Sequence, residues 1–186
     1  MEHSTVQSLM EIATDAGATD AGFVEVKEIP FRPEFLAACE QNTCGKYGRC
    51  WTCPPSVGHI EELIAQAQKY KYMLVFQSIG QLEDSYDIEG MEEAAIAHNA
   101  LALKLAEKLC GTLGDSIRLG AGACHICPRC TKLDELPCAH PDLAVASLEA
   151  YGIAVSELAA LSGLKYINGV NTVTYFGGFL FNEINS

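Results

Sequence analysis

The sequence predicts an α/β fold. It reads as a single layered domain over residues 1–186, with a central mixed sheet flanked by helices and two cysteine-rich metal loops. A segregated α+β arrangement is the alternative. Three observations support the reading. Segments of helical spacing alternate with strand-like segments along most of the chain, the pattern of a layered α/β domain. Hydrophobic residues make up 49% and charged residues 19% of 186 residues. A chain of that size and composition can bury about 70% of the surface its unfolded form exposes. Finally, eight of the nine cysteines fall in two short stretches, where connecting loops are expected.

The elements follow in order. Residues 4–16 carry Val6, Leu9, Met10 and Ala13 at helical spacing, and Gly17 ends the pattern. Residues 21–29, AGFVEVKEI, alternate and read as a strand. A short helix bearing Phe35, Leu36 and Cys39 follows Pro33. Residues 59–70, HIEELIAQAQKY, form an amphipathic helix with Ile60, Leu63, Ile64 and Ala67 on one face. Residues 72–80 are mostly apolar, end in glycine and read as a buried strand. The longest helix is expected over 89–110, with Leu101, Leu105 and Leu109 in register and Asp87 as its cap. SIRLGAGA, 116–123, is a short strand running into glycine. Two short helices are expected near 141–151, with Pro141 in the first turn, and at 155–162. The β-branched and aromatic stretch 171–181 is the last strand.

Charge narrows the function classes. Twenty-four acidic and 12 basic side chains give a net charge of −12. That argues against nucleic acid and anionic membranes, both of which require clustered Lys and Arg. It favours docking to a basic patch on a partner protein. The opening segment lacks a basic start and an apolar block, so it reads as a helix and not as an export signal. The expected location is cytoplasmic. Thiols stay reduced there, so nine cysteines point to metal more than to disulfides.

The second cysteine loop is the more specific signal. CHICPRCTKLDELPC sets Cys124, Cys127 and Cys130 at equal three-residue steps and adds Cys138 further on. Three closely spaced thiolates and a later fourth suit a [4Fe–4S] cluster; bacterial ferredoxins use the same C-x2-C-x2-C opening. Zinc is the alternative, although structural zinc sites usually present two separated C-x2-C knuckles. His125 and His140 flank these cysteines. They read as loop histidines that hydrogen-bond sulfur or water, since four cysteines already complete a ligand set.

The first loop, CGKYGRCWTCPPSVG at 44–58, follows Cys39 and carries Cys44, Cys50 and Cys53. Gly45 and Gly48 are expected to curl the backbone and turn N–H groups toward sulfur. Pro54 and Pro55 are expected to lead the chain out in one extended conformation. Trp51, the only tryptophan, reads as an apolar lid. Cys110 stands apart, seven residues after Leu103 and fourteen after Ile96, and reads as a buried small hydrophobe.

These motifs resemble a known family of predicted metal-binding proteins, domain of unknown function 2284. The resemblance rests on CGKYGRCWTCPPSVG, the C-x2-C-x2-C loop with its late Cys138, SLEAYGI at 147–153 and NTVTYFG at 171–177. It implies a cysteine-bound metal, with iron–sulfur the expected form and anaerobic microbes the expected hosts. In that family the position of Cys50 is often not cysteine. The resemblance thus implies Cys39, Cys44 and Cys53 as the firmer ligands, and an iron that could be open to substrate.

No glycine-rich nucleotide motif and no G-x-S-x-G elbow is present. The acidic stretch 82–93 reads as a solvated loop and helix start. The function expected from the sequence is two [4Fe–4S] clusters in an electron-transfer protein or redox subunit. Cys39, Cys44, Cys50 and Cys53 would hold one, and Cys124, Cys127, Cys130 and Cys138 the other. A zinc-bound interaction module and an enzyme with an open iron are the alternatives.

Overall fold

The computed structural model describes residues 2–185. Its centre is a five-stranded mixed sheet in the order β1-β2-β5-β3-β4. The strands are β1 (Asp20–Glu25), β2 (Tyr72–Gln81), β3 (Ser116–Gly120), β4 (Ala146–Ser147) and β5 (Thr172–Phe181). All neighbours are antiparallel except β3 and β4. The helices are α1 (His3–Ala16), α2 (Phe35–Glu40), α3 (Ile60–Ala67), α4 (Ile88–Leu109) and α5 (Val155–Leu161).

The apolar run of β2 is continuous because both faces of the sheet are covered. Successive side chains point to opposite faces. Leu74 and Phe76 join Leu9 and Ala13 of α1 and Leu105 of α4. Met73 and Val75 join Leu63 of α3 and Leu158 of α5 on the other side. The long β2–β5 ladder runs from Tyr72 opposite Phe181 to Gln81 opposite Thr172. At its middle, Gly177 lies opposite Phe76 and Gly178 opposite Val75. Both glycines leave room for β2 side chains. A Cβ on Gly177 would stand 2.5 Å from Phe76 Cζ and 3.1 Å from the Leu119 carbonyl oxygen.

Helix ends behave as the sequence suggests at two places. Gly17 closes α1 with φ +119°, and its N–H reaches back to Thr14 O at 3.0 Å. Asp87 caps α4, accepting from Gly90 N at 2.8 Å.

Three expectations are corrected. The strand read over 21–29 stops at Glu25, and Val26–Glu28 form a 3-10 turn. Val26 and Ile29 are both buried in the α3/α5 face, three residues apart. A strand would send them to opposite faces, whereas a turn of three residues keeps them together. The helix read near 141–151 does not form. Ala146 and Ser147 pair in parallel with Leu119 and Gly120, Leu148 N donates to Gly120 O at 3.0 Å, and Glu149–Tyr151 make a 3-10 turn. Pairing with an open sheet edge prevails over local helical spacing. Cys110 is exposed, not buried. The buried stripe of α4 is His98, Ala102, Leu105 and Leu109, and the helix ends one residue before Cys110. Ile96, on the stripe read with Cys110, is likewise exposed.

Candidate metal centre

The two cysteine loops leave neighbouring parts of this frame. The first lies between α2 and α3, and the second between β3 and β4. Gly122, with φ +64°, turns the chain out of β3 toward Cys124. In the second loop, the seven residues between Cys130 and Cys138 fold back on themselves. Thr131–Asp134 form a 3-10 turn, Leu136 N donates to Thr131 O at 3.2 Å, and Thr131 Oγ1 donates to Pro137 O at 2.9 Å. Arg129 makes a two-pronged ion pair with Asp134 across that turn. The fold-back returns Cys138 to the other three. Cys124, Cys127, Cys130 and Cys138 line one cleft and are each half-buried.

The first loop is curled by Gly45 (φ +68°) and Gly48 (φ +67°), as expected. Their N–H groups, however, go to backbone carbonyls and not to sulfur: Gly45 N to Asn42 O at 3.0 Å, Gly48 N to Pro54 O at 2.8 Å. The prolines do not extend the chain either. Val57 N donates to Cys53 O at 3.1 Å and Gly58 N to Pro55 O at 3.2 Å, so the segment turns directly into α3.

The loops meet at Cys50. It is 3% exposed, the most buried of the cysteines, and it lines the same cleft as the four cysteines of the second loop. It also belongs to its own loop. The Cys53 thiol hydrogen-bonds to it and holds Cys50 well below the usual thiol pKa, with lesser help from Thr52 and from the backbone of Cys124. The same bond, with burial, raises Cys53, and the nearby Cys44 and Cys39 add to the rise. Cys50 Sγ and Thr52 Oγ1 are 3.4 Å apart. Thus Cys39, Cys44, Cys50 and Cys53 share one electrostatic neighbourhood; of these, Cys50 lines the narrow cleft of the second group, and both Cys44 and Cys50 line the larger cavity beside it.

Trp51 lines the cleft, where a lid would lie, and has a second part. Its Nε1 donates to Leu136 O at 3.0 Å, and Lys132 Nζ lies over its ring at 4.8 Å. The indole clamps the first loop to the fold-back of the second. His140 lines the cleft and His125 an adjoining cavity, both beside the cysteines as their sequence positions suggest.

The surroundings hold two half-buried charged groups that sequence reading missed. Arg118, on β3, stands beside Cys124; burial lowers its pKa, and the cysteine's charge opposes that shift. Its Nη2 donates to Leu143 O at 2.8 Å. Glu149 is near Cys39, and burial raises its pKa. Arg118 was legible only as an inward position of a strand. His98 was missed too. It is 1% exposed, stacks on Phe76 with ring centroids 5.2 Å apart and holds Ser78 Oγ at 2.8 Å through Nδ1. Burial pulls its pKa down to about 4, so it is a neutral core group.

Thiolates are soft donors suited to zinc, copper(I) and iron–sulfur centres, so the donor set fits a cysteine-bound metal. Among the described residues, no three His, Cys, Asp or Glu side chains are arranged to hold a single ion. The cleft between the cysteines measures about 20 Å³. That is room for about one water molecule, so a larger centre requires the thiols to turn outward. Space lies on that side: Cys124, Cys127 and Cys130 also line a cavity of about 460 Å³. Another concavity, about 660 Å³, has Cys110 as the one cysteine on its wall and none of the eight in the two loops.

Geometry and donors together define a cysteine-rich metal-binding protein. The chain belongs to the family described as predicted metal-binding protein (DUF2284), which matches residues 22–181 and so takes in both loops. No curated protein and no solved structure matches it. No helix among the described residues is long and apolar enough to cross a membrane.

Proposed function

We propose that the chain is an iron–sulfur protein with two [4Fe–4S] clusters, acting in the cytoplasm as an electron carrier or redox subunit. Cys39, Cys44, Cys50 and Cys53 hold one cluster; Cys124, Cys127, Cys130 and Cys138 hold the other. The observation that carries the reading is the position of Cys50, a first-loop cysteine on the wall of the second group's cleft. Two groups of four that meet at one residue suit a pair of redox centres in close contact. A single zinc ion would need its sulfurs about 2.3 Å away and therefore drawn around one point. The equal three-residue steps of Cys124, Cys127 and Cys130 support a larger centre.

The bound clusters would supply one-electron redox chemistry, with a potential set by charge, hydrogen bonds to sulfur and exposure. The chain's own residues provide those controls. Arg118 places positive charge beside Cys124, Thr52 hydrogen-bonds Cys50, and the Trp51 clamp narrows the approach of water. An acidic body suits a partner with a basic docking patch, and the exposed stretch 82–93 at the start of α4 is the candidate contact.

Cys50 also favours a second reading. If it serves the second group, the first keeps three ligands and an iron open to substrate, as an enzyme would require.

Electron paramagnetic resonance of anaerobically prepared, dithionite-reduced protein tests the proposal. Two clusters meeting at Cys50 should give signals split or broadened by their mutual interaction. A silent, colourless protein would overturn the iron–sulfur assignment, and two unperturbed signals would overturn the close pairing.

A further inference from the structure

The cavity of about 460 Å³ beside the cysteines differs in charge from the rest of the protein. Lys46, Arg49 and Arg129 line it, three of only 12 basic residues in a chain of net charge −12. One carboxylate, Glu92 of α4, lies on its wall. Arg129 is engaged by Asp134. Lys46 and Arg49 form no ion pair among the described residues. Two free cations of the Cys44–Cys50 segment thus share the cavity with Glu92 and Ile96 of α4.

We propose that this cavity binds a small oxyanion-bearing molecule, a carboxylate or a phosphate, on Lys46 and Arg49. Arginine presents a planar fork that matches either oxyanion, and lysine adds a point charge. The cavity lies within the usual range for small-molecule sites, roughly 300–1,000 Å³. Glu92 gives the site a selective edge. It repels a ligand that is anionic at both ends of that space and accepts from one bearing a hydroxyl or amino group. The ligand would lie against Cys44 and Cys50, beside the first group. That placement rests on the metal-centre reading; binding of the anion does not.

The test is calorimetric titration of the full-length, anaerobically prepared protein with lactate and with inorganic phosphate, and with lactamide as the uncharged control. Iron is counted in the same samples. The expected result is saturable binding of at least one anion at millimolar concentration or below, none of lactamide, and weakening with added salt. The Lys46→Glu/Arg49→Glu double variant should lose about tenfold or more in affinity, since it replaces two attracting charges with two repelling ones. Both positions are exposed loop residues, so the variant should melt like the parent. Absence of binding to both anions, or equal affinity in the double variant, overturns the proposal. An iron-free protein that still binds through Lys46 and Arg49 keeps the anion site and refutes the iron–sulfur reading instead.

Discussion

A Cys127→Ala chain is expected to lose one of the two metal centres proposed for it and keep the other, so that metal per chain falls to about half. Cys127 is the middle member of the equally spaced trio and lines both the cleft and the larger cavity. Its loop is held by local bonds that do not involve the thiol: the Thr131–Asp134 turn, Thr131 to Pro137, and Arg129 to Asp134. The substitution therefore removes a ligand without removing the frame. Metal analysis beside circular dichroism reads this directly. Retention of full metal would show that Cys127 is not a ligand, and loss of all metal would show that the two groups form one centre. Cys50→Ala belongs in the same experiment. Loss of half the metal places Cys50 in a closed four-cysteine group; retention of all of it supports a three-ligand centre with an open iron.

Replacing Phe76 by alanine is expected to destabilise the fold by about 3–5 kcal/mol, the usual cost of emptying an aromatic site in a core. Phe76 has no exposed surface. Its ring stacks on His98 and lies 6.0 Å from Phe179. Gly177 opposite it offers no side chain to fill the void. In a chain of this length that loss should lower the melting temperature by roughly 6–20 °C. The ring belongs to the face covered by α1 and α4, so metal content at low temperature should hold. A melting temperature unchanged within a degree or two would contradict the packing described.

Much of this was legible in the sequence, for identifiable reasons. The continuous apolar run of β2 and the amphipathic spacing in α1 and α3 are local patterns, and the elements formed where the patterns lie. The three-residue steps of Cys124, Cys127 and Cys130 are visible in the sequence, whereas in the first loop only Cys50 and Cys53 show such a step. What brings the two groups to each other is not local. The Trp51–Leu136 hydrogen bond joins residues 85 apart, and no periodicity announces it. The same holds at Ala146–Ser147, where pairing with β3 displaced an expected helix. Cys110 was misplaced because Ile96, Leu103 and Cys110 make a regular stripe, whereas the face that packs on the sheet is set by His98, Ala102, Leu105 and Leu109. A histidine on an apolar helix face was the available signal for His98. The free cations Lys46 and Arg49 lay inside the quoted cysteine motif, but only the approach of α4 makes a cavity of them.

The central claim is that the eight paired cysteines hold two four-iron clusters. Counting iron, acid-labile sulfide and zinc in protein purified without oxygen tests it most directly. The expected result is about eight iron and eight sulfide per chain in a brown protein. A colourless protein with stoichiometric zinc and no sulfide would contradict it.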